Sequence, residues 1–375
     1  MNVLTQLPTD DSRIVWVTQH GATAARAWCN LYPGTNVSVV EQLSELTTPL
    51  ADFQAAVVAT APHVHSSTVR PLLHAGVPTL CEKPLTLDVR HAAELEQLAV
   101  ARATPLGVNL ELHYACYLDS LVAFTSHRLP RQVAIQWLDP WSEQRYGETK
   151  YGDVFTGLVD DMFPHCWSLL RRITGITQWE IVRVAYNSDT SVSIELRHGE
   201  TSGSVLLSRR ADKRSRIIRI DGTAVLDFSH EPGWLELDGQ RTDLSWETAR
   251  PLTQSLHAFL EIAERSCLAR QRAVACDAWQ QWPLSAIACA PAVRIATAIA
   301  KELRSAQWEC LQRIRRGVPV FPVDRHHLLI DLFVPLAALS GERIDLTRPS
   351  ALQKFLASVE RRLEGAANLQ DFVPS

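Results

Sequence analysis

The fold is decided by two short stretches, ATAPHVH at residues 59–65 and LCEKP at residues 80–84. Each closes an apolar run of the kind that forms a buried strand, and a helical pattern over residues 66–75 separates them. Two strands with a helix between them predict a parallel pair joined by a right-handed crossover. Because the carboxyl ends of parallel strands meet at one edge of a sheet, we expect both loops to line the same crevice.

Composition indicates a soluble globular protein. The chain has 375 residues, of which 46% are hydrophobic and 21% are charged, so two domains can each bury a core. The net charge of −4 and the lack of a long basic run disfavour nucleic-acid and membrane partners and favour a small-molecule substrate. The N-terminal residues have no signal-peptide pattern, which predicts a cytoplasmic protein. Eight scattered cysteines, none in a C-x-x-C pair, predict reduced thiols and no metal site.

The order of predicted elements divides the chain into three parts. Strands and helices alternate over residues 1–114, which predicts a parallel α/β domain. Over residues 115–304, consecutive strands without intervening helices predict an α+β domain with an open, mainly antiparallel sheet and helices on one face. Residues 305–375 carry apolar positions at helical spacing and are predicted to form a helical C-terminal extension.

Lys83 is the first candidate for chemistry. It follows a predicted parallel strand, and a lysine at such a crevice can hold a carbonyl or hydroxyl oxygen and stabilise developing negative charge. Pro84 biases Lys83 toward an extended backbone, so the side chain is aimed. The alternative is a solvated lysine in an ordinary loop.

Asp161 and His165 form the second candidate. They are four residues apart, so on a helix they share one face. A carboxylate beside an imidazole orients the ring and raises its basicity, which suits a general base near neutral pH. The alternative is a capping carboxylate at Asp160 and a satisfied, partly buried histidine.

Two further features have a structural and a functional interpretation. The basic stretch Arg209–Arg216 is expected to cap a hairpin and solvate a sheet edge, with contact to a phosphate-bearing substrate as the alternative. Trp137 lies on a predicted strand, where it either packs in the core or stacks on a sugar or aryl ring.

These motifs together resemble one protein family. ATAPHVH and CEKP resemble the A-T-P-x-x-H and E-K-P signatures of the Gfo/Idh/MocA oxidoreductases, DMFPH at 161–165 resembles their D-x-x-x-H motif, and IDG at 220–222 resembles the glycine turn of their second domain. The resemblance covers roughly residues 13–304. It implies a Rossmann-like dinucleotide-binding domain followed by an α/β domain whose open sheet often forms oligomer contacts, so a homo-oligomer is expected.

The resemblance also implies roles for individual residues. Lys83 would orient substrate or relay a proton, and His165 would be the acid/base, assisted by Asp161. The nicotinamide end of NAD or NADP would be lined by Pro62, His65, Glu82 and Asn109.

The glycine loop departs from the family pattern. A G-x-G-x-x-G loop lets backbone N–H groups approach a pyrophosphate at a helix N-terminus. Here the corresponding segment is VTQHGAT at 17–23, with one glycine. The thiazolinyl imide reductases have a similarly reduced loop, and on that resemblance Thr18, His20 and Gly21 would contact the cofactor.

The first domain is also shorter than the family pattern by about one βα unit. One interpretation makes residues 36–40 the second strand, with Glu41 as the acid that binds the ribose. The other has that strand and the following helix deleted, so that residues 37–46 correspond to a later segment. We favour the deletion, which would damage the adenosine half of the pocket and leaves open whether the cofactor has been lost.

Three functions remain after these observations. The first is an NAD(P)-dependent oxidoreductase acting on a hydroxyl, carbonyl or imine of a small polar metabolite in specialised biosynthesis. The second is an acid–base enzyme, such as a dehydratase, epimerase or cyclase, that uses no external hydride. The third is a non-catalytic partner protein, which the retention of Lys83, Asp161 and His165 disfavours.

Overall fold

The computed structural model describes residues 13–18, 21–32, 36–145, 148–187, 190–272, 277–318, 324–340, 344, 349–366 and 368–372. The first domain alternates strands and helices, as predicted: β1 Ile14–Val17, α1 Ala22–Leu31, β2 Val37–Val40, β3 Ala56–Val58, α2 His65–His74, β4 Thr79–Glu82, α3 Val89–Ala101 and β5 Leu106–Asn109. All pairings are parallel, in the ladders β1–β2 and β3–β4–β5. Strand β4 lies between β3 and β5 and is almost completely buried, as is typical of a central strand in a parallel sheet covered by helices.

The second strand corrects the deletion interpretation. β2 pairs with β1 in parallel from Ile14↔Val37 to Val17↔Val40, so a strand lies beside β1 and Glu41 follows its end. Between β2 and β3 the chain forms only two 3-10 turns, Leu43–Glu45 and Leu50–Asp52. The domain is therefore short because it lacks a helix here, whereas a strand next to β1 is present.

The second domain is built on an eight-stranded sheet. Its elements are α4 Asp119–Ser126, β6 Gln132–Leu138, β7 Ser142–Arg145, β8 Glu148–Tyr151, α5 Leu158–Thr174, β9 Glu180–Tyr186, β10 Val192–His198, β11 Thr201–Ser208, β12 Ser215–Ile220, β13 Ala224–Asp227, β14 Trp234–Leu237, β15 Gln240–Asp243, α6 Pro251–Gln271 and α7 Ala286–Arg315. The strand order is β15-β14-β13-β12-β6-β11-β10-β9. Only the β6–β11 pairing within it is parallel, which confirms the predicted α+β class. The sequence did not predict the β7–β8 hairpin or β15.

One apolar core joins the two domains. Alternation along β6 directs Val133, Ile135 and Trp137 inward, and α5 is buried along most of its length between this sheet and α7. The same cluster of buried side chains extends from Val58 on β3 to Leu303 on α7. The core therefore fixes β4 and α5, which carry the candidate residues, relative to one another.

The C-terminal extension has a core of its own. Helices α8 Arg325–Leu339 and α9 Pro349–Gly365 pack with Leu311 of α7 and with Val154. Because α7 continues without a break to Arg315, the predicted boundary after residue 304 falls inside a helix. Across the described ranges, we find no helix with the length and apolar character needed to cross a membrane.

The junction between β5 and α7 is closely packed at Gly107. Gly107 forms a bridge with Ser285, and the ring of Trp282 lies against it while its Nε1 donates to the Tyr114 hydroxyl at 2.7 Å. A Cβ atom at Gly107 would lie 2.2 Å from Cζ3 of Trp282. Only a residue without a side chain fits here.

We predict that Gly107→Val lowers the free energy of unfolding by about 1–3 kcal/mol or more, because the added methyl groups overpack the junction. Urea denaturation followed by circular dichroism measures the effect. Gly365→Ala is the matched control, since nothing lies within 4 Å of a Cβ atom there. Equal stability of Gly107→Val and wild type would contradict the close packing.

Candidate active site

The site is organised around an ion pair between the two domains. Lys83 directly follows β4, and Asp161 lies in the first turn of α5. The Lys83 Nζ donates to Oδ1 of Asp161 at 2.7 Å and to the Asp161 carbonyl oxygen at 2.8 Å. The side chains are 16% and 32% exposed, so the pair is partly shielded from water but open on one side. The structure thus supports an aimed lysine and not a solvated one.

Glu82 and Asn109 hold the turn that presents Lys83. The Asn109 amide donates to Oε1 of Glu82 at 2.6 Å and accepts from the Ser255 hydroxyl at 2.8 Å, while the Lys83 N–H contacts the other Glu82 oxygen at 3.3 Å. Asn109 is 3% exposed. The amide fixes the Glu82 carboxylate, and the place of Asn109 at the nicotinamide end stays a prediction.

His165 lies one turn after Asp161 on α5 and faces the same cavity. Its ring stacks on Trp137 with centroids 5.0 Å apart and planes inclined by 7°. Its Nδ1 is buried without a hydrogen-bond partner among the described residues. The expectation that Asp161 orients the imidazole is wrong, because the Asp161 carboxylate binds Lys83 instead; the ring orientation follows from stacking.

The three groups differ in charge. Burial lowers the pKa of Lys83, but the charge and hydrogen bond of Asp161, together with the charges of Glu111 and Glu82, outweigh burial and leave this pKa above its ordinary value. Burial raises the pKa of Asp161, yet Lys83 and Arg209 together bring it below its ordinary value. Burial and the charge of Lys83 hold the pKa of His165 well below its usual range. At neutral pH the site therefore combines an ammonium, a carboxylate and a neutral imidazole.

These side chains open onto a cavity of about 270 Å³ with a mainly polar wall. Its other charged residues are Glu111, Asp139, Arg214, Arg216 and Glu231. Burial raises the pKa of Glu111 to about 7 and also raises the pKa of Glu231. The cavity thus offers several carboxyl groups that can exchange hydrogen bonds with hydroxyl groups.

The basic stretch does not solvate a sheet edge, which corrects that expectation. Arg209 and Arg216 are only 4% and 7% exposed. Arg216 donates to Asp139 Oδ1 at 2.5 Å and lies 3.8 Å from the centroid of Trp137. Nη2 of Arg209 lies 4.0 Å from Oδ2 of Asp161, and Lys83 binds the other oxygen of the same carboxylate. Both arginines therefore support the site.

Three of the predicted cofactor residues lie around β1 and β2. The Gly21 N–H donates to Thr18 Oγ1 at 3.1 Å, and a Cβ atom at Gly21 would lie 2.9 Å from that oxygen. No side chain of the described residues caps the N-terminus of α1. Glu41 is exposed at the end of β2 and accepts a hydrogen bond from Arg26 at 3.1 Å. His20 lies outside the described residues.

The loop after β3 contains the other two. Pro62 is half-buried and begins a 3-10 turn, as a residue that lines a pocket could. His65 is completely buried, and its ring nitrogens lie 2.9 Å from the carbonyl oxygens of Thr60 and Pro84. The ring links the loops after β3 and β4 to each other, and the cofactor contact of His65 stays a prediction.

Sequence reasoning missed three contributors to the site. The stacking of Trp137 on His165, the support from Arg209, and the cavity carboxyl groups of Glu111 and Glu231 were not predicted. The alternation of β6 could have placed Trp137 on the face toward α5. No pattern in the sequence identified the partner of the indole ring or the burial of Arg209.

Comparison with known proteins adds independent information. Residues 4–110 match the family model described as "Oxidoreductase family, NAD-binding Rossmann fold" (GFO_IDH_MocA). A myo-inositol dehydrogenase of Streptomyces leeuwenhoekii is 32% identical over 168 residues, which are 44% of this chain and 48% of that protein. The chain therefore spans about half the length of this curated relative.

Solved structures share the two-domain fold. A Gfo/Idh/MocA family oxidoreductase from Vibrio cholerae has a TM-score of 0.59 and 17% identity over 81% of this chain and 93% of its own. A variant of a 3-ketoreductase from Actinomadura kijaniata, in complex with TDP-benzene and NADP, has a TM-score of 0.59 and 16% identity over 80% and 91%. Such identities establish the fold alone. Residues 4–110 therefore match the Gfo/Idh/MocA oxidoreductase family, and the chain as a whole shares the two-domain fold of solved members of that family.

Proposed function

We propose that the protein is an NAD-dependent oxidoreductase that interconverts a secondary alcohol and a ketone on a small polyhydroxylated metabolite. The observation that carries the proposal is the Lys83–Asp161 pair, 2.7 Å apart, facing the same cavity as a neutral His165. This arrangement can hold an oxygen atom and move its proton.

The residues present fit a nicotinamide dinucleotide. The N-terminus of α1, which no described side chain caps, would offer its first N–H groups to a pyrophosphate. Gly21 precedes it, and a side chain there would contact Thr18. Glu41, at the end of β2, would accept hydrogen bonds from ribose hydroxyls, which favours NAD over NADP because a 2′-phosphate would meet a carboxylate. At the nicotinamide end, the half-buried Pro62 and Glu82 would line the pocket, with the buried His65 and Asn109 behind them. When bound, the cofactor would accept or supply the hydride.

Each catalytic side chain has a distinct task. His165, neutral at physiological pH, would take the hydroxyl proton during oxidation and return it during reduction. The Lys83 ammonium would bind the same oxygen and stabilise the negative charge that develops on it. Asp161 would keep Lys83 charged and aimed, with Arg209 restraining the carboxylate.

The cavity and the relatives suggest the substrate class. Glu111, Asp139 and Glu231 can accept hydrogen bonds from several hydroxyl groups, which suits a cyclitol or a sugar. The relatives named above are a myo-inositol dehydrogenase and a 3-ketoreductase, and both names are compatible with this class. A role in specialised biosynthesis is part of the proposal by analogy of fold alone.

A second candidate is acid–base chemistry without an external hydride. It is favoured by the single glycine of the first loop and by the missing helix between β2 and β3, which leave less structure around the adenosine end. Cofactor binding separates the two candidates.

We predict that NADH binds with a Kd below about 100 μM, or roughly −5.5 kcal/mol, and that NADPH binds more weakly. Titration followed by nucleotide fluorescence measures both. Glu41→Gln should reduce the preference for NADH, and Glu94→Gln, which removes an exposed carboxylate of α3 paired with Arg70, is the matched control. No detectable binding of either nucleotide would support the hydride-free candidate instead.

Removing either proton-handling group should abolish most of the activity. We predict that Lys83→Met and His165→Asn each lower kcat at least about a hundredfold, the usual size of a general acid–base contribution, while NADH affinity stays within a few fold. Cofactor reduction with a panel of cyclitols and nucleotide sugars gives the rates. Lys301→Met, on the exposed face of α7, is the control. Unchanged rates in both variants would contradict the assigned roles.

Trp137 should act as a positioning residue for His165. We predict that Trp137→Leu lowers kcat roughly ten- to a hundredfold, since an imidazole without its stacking partner loses its orientation. The acid limb of the pH–rate profile should shift to higher pH, because a more solvated His165 ring has a higher pKa. Trp137→Phe should restore much of both properties, and Trp141→Leu should change neither. Equal profiles for Trp137→Leu and wild type would refute the role.

A further inference from the structure

The active-site cavity has room for more than the group that reacts. Its volume is about 270 Å³, and a cavity of roughly 150 Å³ already accommodates a benzene ring. A six-membered ring therefore fits here together with its polar substituents. Lys83, Asp161 and His165 account for one of them, the hydroxyl group that reacts. The other polar side chains of the wall determine which further substituents the cavity accepts.

The three cations on the described part of the cavity wall already have carboxylate partners. Lys83 pairs with Asp161, Arg216 with Asp139 and Arg214 with Glu143, at 2.7, 2.5 and 2.9 Å. Arg216 also donates to the Leu138 carbonyl oxygen at 2.7 Å. An anionic substituent of the substrate would have to compete with one of these ion pairs. The wall is therefore not built to receive an anion.

Two carboxyl groups of the wall, those of Glu111 and Glu231, take part in none of these three pairs. Glu111 is half-buried and begins the 3-10 turn that follows β5, whereas Glu231 is exposed. Because the other charges of the wall are paired, these two groups leave the cavity with an excess of negative charge. Glu111, being the less exposed, gains more from a positively charged partner.

The electrostatic surroundings of Glu111 lead to the same conclusion. Burial raises the pKa of Glu111 to about 7, the charges of Glu82 and Glu231 raise it as well, and the charge of Lys83 acts in the opposite direction. Lys83 is bound to Asp161, and its charge does not restore the ordinary pKa of Glu111. A further positive charge against Glu111 would stabilise its ionised form.

An incompletely bonded imidazole lines the same cavity. His165 is 8% exposed, and its Nδ1 has no hydrogen-bond partner among the described residues. Buried polar groups in native structures are normally bonded, so an exception at a cavity indicates a place where a polar ligand binds. This observation is independent of the carboxyl groups and assigns the excess negative charge to a ligand site.

An ammonium group suits Glu111 better than a hydroxyl group does. A hydroxyl group can donate one hydrogen bond but leaves the negative charge uncompensated, whereas an ammonium group has three donors and carries the opposite charge. Hydrogen bonds between ionised partners are roughly twice as strong as neutral ones. The described residues contain no cluster of three carboxylate, imidazole or thiol groups that could hold a metal ion. An organic cation is therefore the favoured occupant.

We propose that the substrate is an amino-substituted cyclitol or sugar whose ammonium group binds the Glu111 carboxylate, with Glu231 adding negative charge to the same cavity. The reacting hydroxyl of the same ring contacts Lys83 and His165. This inference rests on the proposed function, because it places the amine relative to the groups that handle the proton. It narrows the substrate class from polyhydroxylated rings to aminated ones.

Calorimetric titration of the full chain with two matched ligand pairs tests the proposal. The pairs are scyllo-inosamine with scyllo-inositol and glucosamine with glucose, each titrated with saturating NADH present. We expect the amine of at least one pair to bind at least about tenfold more tightly than its hydroxyl counterpart. This comparison uses the wild-type chain and needs no variant.

Variants assign the preference to Glu111. Glu111→Gln keeps the size and hydrogen-bonding capacity of the side chain and should remove most of the preference for the amine. Glu231→Gln should reduce it less, because the exposed carboxylate is screened by solvent. Glu302→Gln removes an exposed carboxylate of α7 and should leave the preference unchanged. Thermal unfolding shows whether each variant is folded.

The possible failures of this inference and of the proposed function are distinguishable. Equal affinities within both pairs, no binding of either amine, or a preference that survives in folded Glu111→Gln would each overturn the inference. Reduction of NAD by scyllo-inositol would in those cases keep the redox function. Binding of an amine that depends on Glu111, without reduction of NAD or NADP, would support recognition of the amine and contradict the redox function.

Discussion

The ion pair between Lys83 and Asp161 is the constraint on which the site depends. Its partners are 78 residues apart in sequence and come from the two different domains. A partly buried charge is stable only when it is paired, so the loop after β4 and the first turn of α5 must keep their relative positions. The continuous core between β3 and α7 holds them there.

The same ion pair decides how the imidazole is held. Asp161 binds Lys83 and is restrained by Arg209, and it makes no hydrogen bond with Nδ1 of His165, which has no partner among the described residues. The ring instead rests on Trp137, which itself carries the Arg216 guanidinium. Burial and nearby positive charges keep His165 neutral. The same arrangement of charges therefore keeps Lys83 as a cation and His165 as a base.

The two ends of the proposed cofactor pocket differ in packing. Strands β3, β4 and β5 contribute residues to the main core. Among the described residues of the unit β1–α1–β2, only Ala22, Ala25 and Trp28 are buried, and they lie outside that core. Trp28 packs against Trp16 and Tyr32 at the surface. The chemistry end therefore rests on the most rigid part of the domain, and the adenosine end rests on a lightly packed unit.

The sequence by itself determined the fold class and most element positions. It also indicated that Lys83 meets the helix face that carries Asp161 and His165. These follow from local causes: apolar periodicity, parallel strands that end at one edge, and an i,i+4 spacing on a helix. Only the tertiary structure decided which partner Asp161 takes, that His65 and Asn109 brace loops, and that Arg209 and Arg216 are buried. A side chain chooses among partners that are distant in sequence, and that choice depends on packing across the sheet and between domains. The spacing of residues along the chain does not encode it.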